Sequence, residues 1–315
     1  MAEFTYEVAK ISNKNKFSEV ITEIARADEE IVVLCADIMQ SVGPGFIKEF
    51  PDRYISTGIA EQDMIGIAAG LATCRKKPFA ITMAGFASMR ACEQVRTDVA
   101  YPRLNVKIVG THSGISAGAM GTTHHAIEDI AIMRSIPNMT VIVPADYTET
   151  EKATRALVDY DGPAFMRLAR NPDPVIYRED YEFTIGKAVT LREGDDVALI
   201  AAGRMVIEAM GAAQYLAEKG ISARVLNMHT IKPLDCEAVR KAAWETRLIA
   251  TVEEHTIIGG LGGAVAEVAA EEGKAPVKRF GLKDAFSTIG DEKDLRRKYG
   301  LTAQDIARNV ERMLN

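Results

Sequence analysis

Short runs of apolar, β-branched residues alternate along this chain with longer stretches of helical period, and this alternation restricts the fold more than any other feature. Residues 31–36, 79–83, 106–110, 140–144 and 164–168 read as strands. Residues 17–26, 63–74, 88–99, 126–135 and 147–159 read as the helices between them. Strands apolar on both faces need cover on both faces, and strand–helix–strand units join parallel strands. The expected fold class is therefore α/β, a doubly wound, mostly parallel sheet with helices on either side. The rhythm breaks at Asn171-Pro172-Asp173-Pro174 and stays irregular through the polar stretch 177–182. It resumes with strands at 197–202, 223–228 and 247–252 and helices at 205–219, 235–243, 262–271 and 302–314. Two domains are expected, 1–175 and a smaller α/β unit at 189–315, joined by a linker at 176–188. A length of 315 residues is enough to give each its own core.

The net charge of −6 has the wrong sign for general nucleic-acid binding, and no basic stripe interrupts it. No apolar run approaches the length of a membrane span, and the polar segment 1–16 lacks the apolar centre of a signal peptide. Cys35, Cys74, Cys92 and Cys236 are widely spaced without a CxxC pair, which argues against a disulfide framework and for a reducing cytoplasm.

Chemistry concentrates in the first half. Glu61, in Gly58-Ile59-Ala60-Glu61-Gln62-Asp63-Met64, falls where a short extended stretch meets a helix, near the helix's positive end. Open α/β sheets build ligand sites at such corners. Asp37 directly follows a strand, a place equally suited to a turn or a cap. His112 ends the strand 106–110, and His124 is expected to open the next helix after a flexible Gly- and Ser-rich loop at 113–121. Imidazoles at such places can donate to a developing alkoxide. Zinc held by His112, His124 and His125 is disfavoured, because no Cys or acidic residue has ligand spacing to them.

Glu61 in its motif, Phe86 in Gly85-Phe86-Ala87-Ser88-Met89-Arg90 and the His112/His124 pair together resemble the transketolase family, from about residue 12 to the C-terminus. The resemblance implies a pyrimidine-type thiamine-diphosphate-binding domain followed by a transketolase C-terminal domain. It implies that Glu61 pairs with a ring nitrogen of the cofactor's aminopyrimidine and favours the tautomer whose imine takes the thiazolium proton. It places Phe86 against that ring, Asp37 on the cofactor, and Met83, Met89 and Arg90 around the pocket. His112 and His124 are carried over as catalytic and substrate-contacting, and Arg170 and Ser41 as contacts to a sugar phosphate, a role suited to a guanidinium.

Some positions depart from the family pattern. Met120 stands where an Asp usually reads a substrate hydroxyl, Met83 and Met89 replace aromatic residues, and Asn15 stands where a phosphate-binding Arg is common. A methionine accepts no strong hydrogen bond, so the substrate is expected to carry a different hydroxyl pattern or less phosphate. The family's Gly-Asp-Gly…Asn motif, which holds the diphosphate through Mg²⁺, is missing; Gly194-Asp195-Asp196 reads as a turn. A separate N-terminal subunit is therefore expected to supply it, in an α₂β₂ assembly, with this chain inactive alone. In the second half, 227–235 and 252–255 with the glycines 259–263 resemble the family's C-terminal domain, and His229 and His255 are given no catalytic part. The expected function is the C-terminal subunit of a split transketolase moving a two-carbon ketol unit between sugars or sugar phosphates. The alternatives are the β subunit of a 2-oxo acid dehydrogenase, a 1-deoxyxylulose-5-phosphate synthase-like enzyme, and a non-catalytic partner that kept only the fold.

Overall fold

The computed structural model describes residues 6–315. Among these residues twelve strands form two sheets: β1 Ile31–Cys35, β2 Tyr54–Ser56, β3 Lys77–Met83, β4 Lys107–Thr111, β5 Thr140–Ile142, β6 Ala164–Arg167, β7 Val189–Arg192, β8 Val197–Ala201, β9 Ala223–Asn227, β10 Thr230–Lys232, β11 Leu248–Thr256 and β12 Val277–Leu282. The larger sheet has the order β10-β5-β6-β4-β3-β1-β2, and the smaller the order β12-β11-β8-β9-β7. All pairings are parallel except two edges, β10 on β5 and β7 on β9. β1 and β8 are buried along their whole length, as strands covered on both faces must be. The α/β reading holds for both halves.

The halves share more than a linker. β10 comes from the second half but closes the edge of the first sheet, with Thr230 opposite Ile142. Lys232 reinforces that edge by donating from Nζ to the carbonyls of Arg134 (2.9 Å) and Ile136 (2.6 Å). One apolar cluster runs from Leu34, Ala80 and Ile108 to Ile200, Ile249 and Val265, so the two sheets bury their facing surfaces together. In the segment between them, Tyr177 is buried and its amide donates to Asp146 Oδ2 at 2.7 Å. The Tyr177 hydroxyl accepts from Asn227 Nδ2 at 2.8 Å, and the same nitrogen donates to the buried Glu149.

Two helices differ from the sequence expectation. The stretch 88–99 is not one regular helix. Phe86–Arg90 and Val95–Ala100 are wound wide, with the Ala91 amide reaching Phe86 O (3.3 Å) and the Tyr101 amide reaching Arg96 O (3.0 Å) across five residues. Widened turns of this kind re-aim side chains and recur at functional sites. The helix expected at 126–135 starts only at Asp129. Ala126 cannot join it, because its backbone is paired with Gly114 and its carbonyl also accepts from buried Arg167.

Candidate active site

Five neighbouring parallel strands, in the order β6-β4-β3-β1-β2, present their carboxyl ends along one edge of the larger sheet. The residues that follow those ends are Arg170 after β6, His112 after β4, Met83 to Arg90 at β3, Asp37 and Ser41 after β1, and Glu61 after β2. Topology thus gathers on one edge residues spread over 134 positions of sequence (37 to 170). Asp37 and His112 both adopt the left-handed region, with φ of 56° and 55°. That conformation is uncommon outside glycine but tolerated by Asp and His, and it turns the chain sharply as it leaves the sheet.

Glu61 is the first residue of helix Glu61–Thr73, whose N-cap, Ala60, offers no side-chain acceptor. Its carboxylate therefore lies at the uncapped positive end of the helix and is only 2% exposed. Oε2 accepts from Arg90 Nη1 at 2.7 Å, and Oε1 has a long contact to the Thr82 hydroxyl at 3.4 Å. The same Arg90 guanidinium lies over the Phe86 ring, 4.2 Å from its centroid. Phe86 in turn meets the His124 ring edge-on, at 5.5 Å between centroids. Glu61, Arg90, Phe86 and His124 therefore form one continuous chain of contacts. Met83, the last residue of β3, is half-buried, and Met89 is exposed.

A second group carries positive charge. Burial, and then the charges of Lys14, Arg170 and His124, depress the imidazole of His112 to about 4. Lys14 is itself pushed below its ordinary value by burial and by Arg170. Lys14 was not singled out in the sequence. The available signal was one residue away, at Asn15, read from the sequence as standing where a family arginine is common; Lys14 precedes it in the first turn of helix Asn13–Ala25. Arg170 is exposed, and its Nη1 reaches only the Ala117 carbonyl, at 3.4 Å.

Several other expectations need correction or refinement. His124 does not open a helix: its amide closes a turn onto Gly121 O at 3.0 Å, and the helix begins five residues later. The loop 113–121 is not loosely packed, since residues 113–118 are buried. The Ser113 amide donates to Leu168 O, the Ser116 hydroxyl to Ser113 O, and the Ile115 amide to Glu254 Oε2. Segment 287–290 of the second half braces it as well, with buried His125 meeting the Ser287 hydroxyl at 2.5 Å and the Gly118 carbonyl at 3.1 Å. Met120 sits at the exposed end of this loop. Ser41 is buried in the short helix Met39–Val42.

The glycines at 259–263 hold no phosphate-type cradle, because a carboxylate of the chain fills it. Buried Glu253 accepts from the amides of Leu261 (2.7 Å) and Gly262 (2.8 Å) at the start of helix Leu261–Glu272. A side chain at Gly260 would place its Cβ 2.1 Å from Glu253 Oε2, which explains the glycine. His255 is fully buried; its Nδ1 donates to Thr256 O and its Nε2 accepts from the Ala131 amide. His229 is equally buried, packed on Phe183 and held near 4 by burial. Both serve packing.

Comparison with known proteins points to one family. The model of the transketolase pyrimidine-binding domain matches residues 9–172, and that of the transketolase C-terminal domain matches residues 186–306. The chain belongs to the transketolase family. A 6-deoxy-6-sulfo-D-fructose transketolase subunit from Clostridium sp. is 45% identical, covering 94% of this chain and 92% of that protein. One of the subunits of an apulose-4-phosphate transketolase from Phocaeicola vulgatus is 44% identical, covering 95% and 96%. A solved structure described as a split-gene transketolase, inactive β4 tetramer, superposes with a TM-score of 0.89 at 42% identity, over 96% of this chain and 98% of that one. Like these relatives, the chain is a transketolase-type transferase subunit, and family membership implies dependence on thiamine diphosphate.

Proposed function

We propose that this chain contributes the aminopyrimidine side of a thiamine-diphosphate site, completed by a separate subunit carrying Gly-Asp-Gly…Asn and Mg²⁺, in an α₂β₂ transketolase. The observation that carries the reading is the Glu61–Arg90–Phe86 arrangement. A buried carboxylate and an aromatic face already bracket a planar nitrogen cation, which is the shape and chemistry of an aminopyrimidine edge. The residues therefore fit the cofactor. When bound, thiamine diphosphate supplies the carbon nucleophile that cleaves the ketose carbon–carbon bond. Glu61 holds the pyrimidine ring by a charge-assisted hydrogen bond and takes part in its proton transfer. Phe86 fixes the ring plane, with Met83, Met89 and Asp37 lining the pocket. His124, which touches Phe86 edge-on, reaches the substrate oxygen at the reacting carbon.

His112, Lys14 and Arg170 form the other end of the site and bind an anionic terminal group of the substrate, together with Ser41. The relatives' named substrates carry a phosphate or a sulfonate, and both are anions suited to such a cluster. Met120 supplies no hydrogen bond there, consistent with a sugar lacking one hydroxyl of the ordinary substrates. Ile59, Met89 and Met120 are exposed apolar residues close in sequence to the site residues, and exposed Ile289 lies against Gly121; a partner subunit that covers them would complete the pocket. No helix among the described residues is long and apolar enough to cross a membrane, and the four free cysteines suit a cytoplasmic location.

The test is co-expression with a partner chain that carries Gly-Asp-Gly…Asn and assay of ketol transfer from a phosphorylated or sulfonated ketose, with thiamine diphosphate and Mg²⁺. Transfer by the mixture and not by either chain alone supports the proposal. Full activity of this chain without the partner would overturn it.

A further inference from the structure

Arg90 makes two contacts at once, and both belong to the pocket assigned above to the aminopyrimidine. Its Nη1 lies 2.7 Å from Glu61 Oε2, and its guanidinium carbon lies 4.2 Å from the centroid of the Phe86 ring. A carboxylate oxygen and a ring face occupied in this way leave no room for a second planar group against both. The remaining oxygen, Oε1, is turned toward the Thr82 hydroxyl, in a carboxylate that is 2% exposed. Arg90, by contrast, has 43% of its side chain in solvent, so the buried carboxylate is covered on its open side by a residue with a free way out.

We propose that Arg90 is a displaceable occupant of the aminopyrimidine pocket: its guanidinium holds the place of the cofactor ring in the cofactor-free protein, and the cofactor must expel it to bind. This inference rests on the reading of Glu61 and Phe86 given above. The chemistry matches on both sides, since guanidinium and aminopyrimidine each present an N–C–N edge to a carboxylate and a flat face to an aromatic ring. The Phe86–Arg90 turn is wound wide, and its side chain at Arg90 emerges from the surface, so expulsion needs rotation of the side chain alone. The device keeps a buried carboxylate paired until the cofactor replaces the pairing group, avoiding the penalty of an uncompensated charge. The competition is modest, because a half-exposed ion pair is worth at most about 1 kcal/mol, or roughly fivefold in affinity.

The experiment is calorimetric titration of thiamine diphosphate, at fixed Mg²⁺, into the assembled complex with its diphosphate-binding partner. Wild type, Arg90→Ala, Arg90→Gln and Glu61→Ala are compared. Arg90→Ala and Arg90→Gln should each bind the cofactor more tightly, by up to about fivefold. Methylguanidinium should compete with the cofactor in Arg90→Ala, where the pocket has been emptied, and not in wild type. Weaker or unchanged cofactor affinity in both Arg90 variants would overturn the proposal, as would indifference of Arg90→Ala to methylguanidinium. Glu61→Ala separates the two levels. If it weakens cofactor binding while the Arg90 variants do not tighten it, the site reading stands and Arg90 is no occupant. If it binds like wild type, the site reading itself fails.

Discussion

Glu61→Gln is the sharpest perturbation of the proposed chemistry, because it changes charge and proton affinity with almost no change in shape. The amide oxygen can still accept from Arg90 Nη1, which now stands 2.7 Å from the carboxylate, and the side chain keeps its buried volume at the start of helix Glu61–Thr73. Lost are the negative charge at the helix's positive end and the group that exchanges a proton with the pyrimidine ring. Positioned proton transfer of this kind contributes about 10²–10⁴ in rate, equivalent to roughly 3–5 kcal/mol of barrier. The cost to folding is far smaller. Arg90 is 43% exposed and stays hydrated when its partner loses charge, so the pair is worth no more than about 1 kcal/mol to stability. The expected signature is therefore a fall of two to four orders of magnitude in kcat for ketol transfer by the reconstituted complex, at saturating cofactor, with a urea midpoint close to wild type. Steady-state transfer with a coupled dehydrogenase and equilibrium denaturation read the two quantities separately. A kcat within about threefold of wild type would refute the role of Glu61, and a loss of activity accompanied by unfolding would refute the separation of the two costs.

Other consequences follow from the same geometry. Lys14→Ala and Arg170→Ala should each raise KM for a phosphorylated or sulfonated substrate by about ten- to a hundredfold while leaving kcat nearly intact, a pattern read from initial rates against an uncharged sugar. His112 titrates near 4 when folded and near 6.5 when unfolded, so between those values the unfolded chain holds more protons. Its contribution to stability is intact above pH 6.5 and declines as pH falls toward 4, and His112→Asn should flatten the urea midpoint over that window. Gly260→Ala places a Cβ 2.1 Å from Glu253 Oε2 and 2.6 Å from His255 Nδ1, and should cost on the order of 2–4 kcal/mol by denaturation. Ile59→Asp, at a residue 72% exposed beside Glu61, should leave the fold intact and weaken assembly with the partner subunit, as measured by light scattering.

Much of the architecture is legible in the chain because parallel strands buried on both faces leave a simple mark, a short apolar run. β1, β3, β4, β6, β8 and β9 all carry it. The strands that escape the pattern are edges: β7 and β12 alternate with polar residues, and β10 has only three residues, so neither length nor apolarity marks them. The widened turns at Phe86–Arg90 escape for another reason, since an extra residue per turn leaves no change in residue type.

The sequence by itself determined the family and the α/β class and nominated the candidate site residues, because such side chains and the turns that expose them are local choices written in short motifs. Only the tertiary structure decided which of these residues meet. The order β6-β4-β3-β1-β2 is set by long-range pairing, and it alone brings Arg170, His112, Phe86 and Glu61 to one edge. It also decided that Lys14 joins His112 and Arg170, that Glu253 fills the glycine-rich helix start, and that Arg90 sits between Glu61 and Phe86. Spacing along a chain cannot report contacts of this kind, because their distances depend on how separate elements pack.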